Sequence, residues 1–347
     1  MNFSDELVRW YNENKRDLPW RNTTDAYIIW LSEVILQQTR VDQGLPYFYR
    51  FVEKYPDVTC FANASEDEIL KLWQGLGYYS RGRNMLKTAR IVQENFNGKF
   101  PQAYDQLIKL KGIGEYTAAA IASFSANEAK AVVDGNVYRV IARYFGISEP
   151  INSTAGKKIF QATANDLLNK KIPAAHNQAM MEFGAMLCKP KNPACGACPI
   201  REGCYAFINN ATTTLPVKLN KIKIRERFFN YFLYTDGDNI LMNKRGESDI
   251  WANMYDLPLI ETSSLLPLDE LLALPETVAY FGNSIKISGS AMVKKHLLTH
   301  QHLHVRFITL SQQPIRVKEG WVFIKVEKAK KMALPKVIFI FLDNFLN

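Results

Sequence analysis

Apolar residues recur at helical spacing along the first two thirds of the chain and at strand-like spacing beyond it. Phe3, Leu7, Trp10 and Tyr11 fall at i, i+4, i+7 and i+8, one face of a helix, and that pattern stops at Pro19. Tyr27, Trp30, Leu31, Val34, Gln38 and Val41 form a second stripe. The same reading predicts helices over 66–74, 82–96, 103–109, 115–125, 134–145, 154–169 and 174–187, punctuated by glycines and prolines such as Gly98, Pro101, Gly146 and Pro173. From Leu215 to Arg225 the helical period is lost, and basic residues accumulate up to Arg227. Strands are then predicted at Phe228–Tyr234, Ile240–Lys244, Ile285–Ile287, Leu303–Leu310 and Trp321–Lys325, with an Asp236-Gly237 turn, a helix over 267–273 and another in the tail. The pattern therefore predicts an all-α domain over 1–209, a connector over 210–225 and a smaller α/β domain over 226–347.

The 347 residues are enough for two domains and a substantial core. No apolar run approaches a membrane span, and the segment around Val337 to Leu342 is too short. The charged amphipathic start, MNFSDELVRWYNENKRDLPW, has no apolar stretch of a secretion signal, which points to a cytoplasmic protein. A net charge of +9 favours a polyanionic partner, although mild basicity alone is a weak signal.

Four of the five cysteines sit in one run, Cys188, Cys195, Cys198 and Cys204, spaced C-x6-C-x2-C-x5-C. Disulfides would need an oxidising compartment. Structural zinc usually takes its ligands as close pairs, and here only Cys195 and Cys198 are close. A [4Fe–4S] cluster held by four thiolates is the third reading. Cys60 lies apart and reads as a small buried apolar residue.

Two further segments carry chemistry. Leu110-Lys111-Gly112-Ile113-Gly114-Glu115-Tyr116 joins two helical patterns through G-x-G. Two glycines this close permit a tight turn and a close backbone approach, and the amides of the next helix can receive a phosphate. An ordinary helix–helix turn would look the same. In Val133-Asp134-Gly135-Asn136-Val137, Asp134 stands at a helix start. It is either a simple cap or an anion placed to stabilise a sugar cation.

Taken in order, L-K-G-I-G-x-Y-T-A-A-A-I, V-D-G-N-V-x-R-V and the cysteine run resemble the helix-hairpin-helix DNA glycosylases with an iron–sulfur loop, the superfamily of endonuclease III. Leu18-Pro19-Trp20-Arg21, Trp30 to Val41, Gly75-Leu76-Gly77-Tyr78-Tyr79-Ser80-Arg81 and Asn177 to Ala185 are similar to its MutY branch, the adenine DNA glycosylases. The resemblance implies a helix-hairpin-helix domain with a [4Fe–4S] cluster on Cys188, Cys195, Cys198 and Cys204, followed by a nudix-like α/β domain. It implies a monomer acting on duplex DNA that carries adenine opposite 8-oxoguanine or guanine.

The roles follow residue by residue from the same resemblance. Glu33 would be the general acid that protonates adenine at N7, which requires an apolar pocket to raise its pKa. Asp134 would stabilise the oxocarbenium-like sugar, with Tyr116 and Asn136 orienting it. Trp20, Arg21, Leu36 and Gln178 would hold the flipped base. Gln38 and Tyr78 would fill the gap in the duplex, and Gly112, Ile113 and Gly114 would meet the backbone. Bifunctional relatives place a lysine where this chain has Tyr116, so the expected enzyme is a monofunctional glycosylase.

In the second domain the family carries Phe-Ser-His against 8-oxoguanine, and this chain reads Leu298-Thr299-His300. Thr299 and His300 remain the expected lesion contacts. The glutamate-rich helix of a working nudix hydrolase is missing, which argues against a pyrophosphatase. His300, His302 and His304 share one face of a strand, but no carboxylate or cysteine nearby in the chain completes a metal set. An endonuclease III-like glycosylase/lyase and a catalytically inactive DNA-binding relative are the alternatives.

Overall fold

The computed structural model describes residues 3–219, 224–289 and 292–346. Residues 220–223 of the expected connector lie outside the described residues. The chain divides into two compact units, one formed by Met1–Ala64 and Asn84–Asn220, the other by Ser65–Arg83 and Lys221–Asn347. Among the described residues no helix is long and apolar enough to cross a membrane.

In chain order the first helices are α1 (Phe3–Asn14), α2 (Ala26–Ile35), α3 (Val41–Lys54), α4 (Val58–Ala62), α5 (Glu66–Leu72) and α6 (Ser80–Asn95). They are followed by α7 (Tyr104–Leu107), α8 (Glu115–Ala126), α9 (Gly135–Phe145), α10 (Thr154–Leu167), α11 (Pro173–Met186) and α12 (Tyr205–Ile208). Within the first unit α11 packs against α1, α8 and α9, and α2 packs against α8. Leu7, Tyr11, Val137, Val140, Ile141, Phe160, Met180 and Phe183 form the centre of one core, as the apolar stripes require. Each fully buried side chain of this size contributes about 1.5–3 kcal/mol.

The second stripe does not form one helix. α2 ends at Ile35, Leu36 caps it, and Gln38 takes a left-handed backbone with φ 57° before α3 begins. Only the residues from Tyr27 to Val34 share the α2 face. Helices α3 and α4 were not expected; α3 contains Pro46 yet buries Gly44, Phe48 and Phe51 on one face, and α4 has only five residues. The hairpin between α7 and α8 turns at Gly112, whose φ of +78° favours glycine. A Cβ there would also lie 2.8 Å from the Cβ of Asn84. Ile113 is buried and anchors the turn, and Gly114 becomes the extended N-cap of α8.

The second unit holds two sheets built from β1 (Arg225–Leu233), β2 (Asn239–Lys244), β3 (Tyr255–Asp256), β4 (Leu259–Thr262), β5 (Met292–Leu297), β6 (Gln301–Thr309) and β7 (Trp321–Lys325). Their orders are β4-β1-β6-β5 and β3-β2-β7. β1 and β6 run parallel, in register from Arg225↔Gln301 to Leu233↔Thr309. The expected strand at Ile285–Ile287 is reduced to a single bridge, Ile287↔Leu310. Strand β5 was not expected; its Lys294, Lys295 and His296 suit an edge strand and mask its period. Segment 65–83 is tied into this unit: Asn253 Nδ2 donates to Glu66 Oε1 (2.9 Å), Lys71 Nζ to the Lys330 carbonyl (2.9 Å) and Arg83 Nη1 to the Ala252 carbonyl (2.8 Å).

Candidate active site

Glu33 lies in the last two turns of α2, among residues that are almost all buried, and is itself buried. Tyr116, in the first turn of α8, donates its hydroxyl to Glu33 Oε2 at 2.7 Å. Burial pushes the Glu33 carboxyl up to about 7, and the charge of Asp134 pushes the same way. The Tyr116 hydrogen bond and the Arg21 guanidinium pull it down. The same surroundings hold the Tyr116 hydroxyl well above its ordinary value.

Asp134 is the N-cap of α9. Its Oδ1 accepts from the amides of Asn136 and Val137, each at 2.8 Å, and its Oδ2 accepts from Asn136 Nδ2 at 2.7 Å. The bonds that close the helix also fix the direction of this carboxylate. Burial raises its pKa against these three donors and the charge of Arg139. Asn136 is held in turn by Arg139, which donates to Asn136 Oδ1 (2.8 Å) and to the carbonyls of Gly184 (2.7 Å) and Cys188 (2.7 Å).

Glu33, Leu36, Gln37, Gln38, Tyr116, Val133, Asp134 and Gly135 line one cavity of ≈ 610 Å³, counted out to its open mouth. It is large enough for a single base and sugar. Gln38 is exposed at its rim, on the left-handed turn after α2.

Trp20, Arg21 and Gln178 do not line this cavity. Trp20 packs edge-on against Phe48, with centroids 5.1 Å apart. Arg21 makes a bidentate pair with Glu182 (3.0 and 2.7 Å), and Arg16 makes a second one (2.8 and 2.6 Å) while its amide adds 2.9 Å. These donors hold the buried Glu182 carboxyl down at about 2 despite the cost of burial. Tyr11 donates its hydroxyl to Gln178 Oε1.

Sequence reasoning assigned no role to Tyr11, Arg16, Arg139 or Glu182. The available signal was Glu182 itself, a charged residue four positions after Gln178 on the face of α11 that must be buried.

In the second unit Tyr78 has φ 47° and is 40% exposed, while Tyr79 is buried. The Tyr78 hydroxyl is hydrogen-bonded to Thr299 Oγ1, so two of the expected DNA contacts meet. His300 is exposed and its carbonyl accepts from the Arg225 amide at 3.1 Å. His302 and His304 both bond Glu226, at 2.8 and 2.7 Å, a carboxylate brought in by β1.

The cofactor expectation is corrected by the structure. Cys188, Cys195, Cys198 and Cys204 are free thiols that share one cavity of ≈ 400 Å³ with Phe183 and Arg143. Among the described residues no group of three or more His, Cys, Asp or Glu is gathered to hold a metal ion. The spacing brings the four side chains to one cavity without closing them into a ligand set.

Comparison with known proteins addresses the whole chain. Residues 31–167 match the HhH-GPD superfamily of base excision DNA repair proteins, 188–204 the iron–sulfur binding domain of endonuclease III, and 230–344 the NUDIX domain. The fold is thus an all-α glycosylase domain followed by a nudix-like domain. The adenine DNA glycosylase of Buchnera aphidicola subsp. Baizongia pistaciae is 36% identical over 258 residues, covering 74% of this chain and 73% of that protein. The one from Buchnera aphidicola subsp. Acyrthosiphon pisum is 30% identical over 348 residues, covering 99% and 97%. A solved thermostable thymine-DNA glycosylase is similar to 60% of this chain over 95% of its own length, with a TM-score of 0.56 and 29% identity. With one relative matching nearly end to end and another over about three quarters of both chains, the chain belongs to the adenine DNA glycosylases, hydrolases of N-glycosidic bonds in base excision repair.

Proposed function

We propose that this chain removes adenine mispaired with 8-oxoguanine, or with guanine, from duplex DNA, and that it does so without cutting the strand. The observation that carries the reading is Glu33: a buried carboxyl titrating near neutrality, beside a second carboxylate held by three hydrogen bonds. Adenine is a poor leaving group until a ring nitrogen is protonated, and an acid with a pKa close to the working pH is suited to that transfer. Glu33 gives its proton to N7 as the glycosidic bond lengthens. Asp134 faces the positive charge that develops on the sugar, held in place by Asn136 and the first amides of α9, until water adds at C1′ and loses a proton to leave the abasic sugar.

Tyr116 stands where a lyase would need a lysine, and its hydroxyl is committed to Glu33. Lys111 is exposed in the hairpin and does not line the cavity. Gln38 and Tyr78, both on left-handed backbone, are the proposed wedges, a class of position where strain often accompanies function. Trp20, Arg21, Leu36 and Gln178 hold the flipped base. Gly112, Ile113 and Gly114 meet the phosphates, and Thr299 with His300 meets the oxidised guanine.

Single-turnover reactions on duplexes with adenine opposite 8-oxoguanine, adenine opposite guanine, and thymine glycol test this. Adenine release with strand scission only after alkali is the expected result. Scission without alkali, or release of thymine glycol alone, would overturn the assignment.

A further inference from the structure

Thr88 lies in the middle of α6, outside the segments whose resemblance pointed to the family, and is 1% exposed. Its hydroxyl donates to the carbonyl of Lys111, in the peptide that leads into Gly112. The direction of this bond is fixed, because a carbonyl oxygen only accepts. Asn84, one turn earlier on α6, lies under Gly112 itself, where an added Cβ would meet the Asn84 Cβ at 2.8 Å. One helix therefore supports the hairpin at two neighbouring points.

The hairpin turns over Leu110, Lys111, Gly112 and Ile113, closed by the Ile113 amide donating to the Leu110 carbonyl at 3.2 Å. Gly112 is its second central residue, and a φ of +78° there makes it a type II turn. Types I and II differ by turning over the central peptide, here the one that joins Lys111 to Gly112. Glycine permits both forms, so the choice needs a restraint from outside the turn. In a trans peptide the carbonyl and the amide point in opposite directions. With the Lys111 carbonyl drawn in toward the buried Thr88, the Gly112 amide points out, away from α6. Among the described residues neither this amide nor that of Gly114 has an acceptor within the protein. In the type I form the carbonyl oxygen would face outward instead and repel a phosphate.

We propose that Thr88 is a positioning residue for DNA binding: its hydroxyl selects the type II turn and so keeps the Gly112 amide, and not the Lys111 carbonyl, toward a backbone phosphate. The inference rests on the reading that Gly112, Ile113 and Gly114 meet the phosphates.

The test is binding of the full chain to a duplex that holds 2′-fluoro-2′-deoxyadenosine, which resists cleavage, opposite 8-oxoguanine. Affinity is read by fluorescence anisotropy, with a neutral methylphosphonate replacing one phosphate at a time. Thr88→Val keeps the shape of the side chain and removes the hydroxyl. It is expected to weaken binding about 10-fold, the scale of one hydrogen bond to a charged group. One phosphate whose neutralisation weakens the native protein should become insensitive in Thr88→Val. Thr88→Ser returns the hydroxyl and should recover the loss. Thr88→Ala carries the same expectation as Thr88→Val and serves if that variant folds poorly. Gly114→Asp tests the hairpin reading by itself. A Cβ at 114 meets nothing within 4 Å and aspartate is a good N-cap, so the fold is kept while an anion stands in the path of the phosphate. It should weaken binding at least as much as Thr88→Val.

A Thr88→Val protein with native affinity, a weakened one with the native phosphate profile, or a Thr88→Ser protein as weak as Thr88→Val would each overturn the inference. In those cases a weak Gly114→Asp leaves the phosphate reading of the hairpin standing. A Gly114→Asp protein with native affinity would overturn that reading and the inference together.

Discussion

Glu33 and Glu182 are both buried glutamates of the helical unit, and their surroundings drive them in opposite directions. Glu33 has one hydroxyl donor and another carboxylate nearby, and its carboxyl rises to about 7. Glu182 is gripped by two arginines, and its carboxyl falls to about 2. Burial penalises the charge in both, so burial does not separate them. The difference lies in how many donors reach the oxygens and whether those donors carry charge. One region is arranged to release a proton near pH 7, and the other to remain an anion and hold a frame.

The most drastic way to break this contrast is to remove the titrating groups. Glu33→Gln and Asp134→Asn are each expected to lower single-turnover adenine release by about 10³-fold or more. Duplex binding, followed by fluorescence anisotropy, should change little. Near-native turnover in either variant would remove the role assigned to it.

Removing the anion of the frame comes next. Glu182→Gln should lower the unfolding free energy by about 3 kcal/mol at pH 7, read from urea denaturation, because two guanidinium groups lose their counter-charge. The sign follows from a folded pKa below the unfolded one. The stabilisation is complete above the ordinary carboxylate range and is lost as pH falls toward about 2. The native and variant proteins should therefore converge in strong acid.

The smallest effect sharpens the comparison. With Glu33 as the proposed acid, the rate of adenine release should fall as pH rises through about 7. Tyr116→Phe removes a donor that favours the carboxylate, which raises the Glu33 pKa further. The descending limb should move to higher pH, by about half to one unit, alongside any loss of rate. A shift toward lower pH would contradict the role of that hydrogen bond.

Local signals made much of this molecule legible. Glu33, Tyr116 and Asp134 each sit in a segment whose pattern survives in the linear chain, and apolar stripes give the faces of α1, α8, α9, α10 and α11. The frame around Glu182 was not legible. It joins residues 16 and 21 to 182, and 11 to 178, and those pairings depend on α1 packing against α11. Hydrophobic periodicity says which face is buried and leaves open what it is buried against. The cysteines show the complementary case: their spacing led to the expectation of an iron–sulfur cluster, and among the described residues the structure does not gather them into a metal site. In the second unit the meeting of Tyr78 with Thr299 spans more than two hundred residues, and no pattern in either segment announces it.

Gly184 shows how the site is bounded from behind. A Cβ at this position would lie 2.7 Å from the Cβ of Asn136 and 2.9 Å from its carbonyl oxygen. The residue contributes no atom to the cavity lining. A single methyl group would nevertheless work as a shim between α11 and α9, moving the amide that orients Asp134 and with it the carboxylate itself. The direction of the Asp134 carboxylate thus depends on the absence of one methyl group at a helix crossing that touches neither of its oxygens.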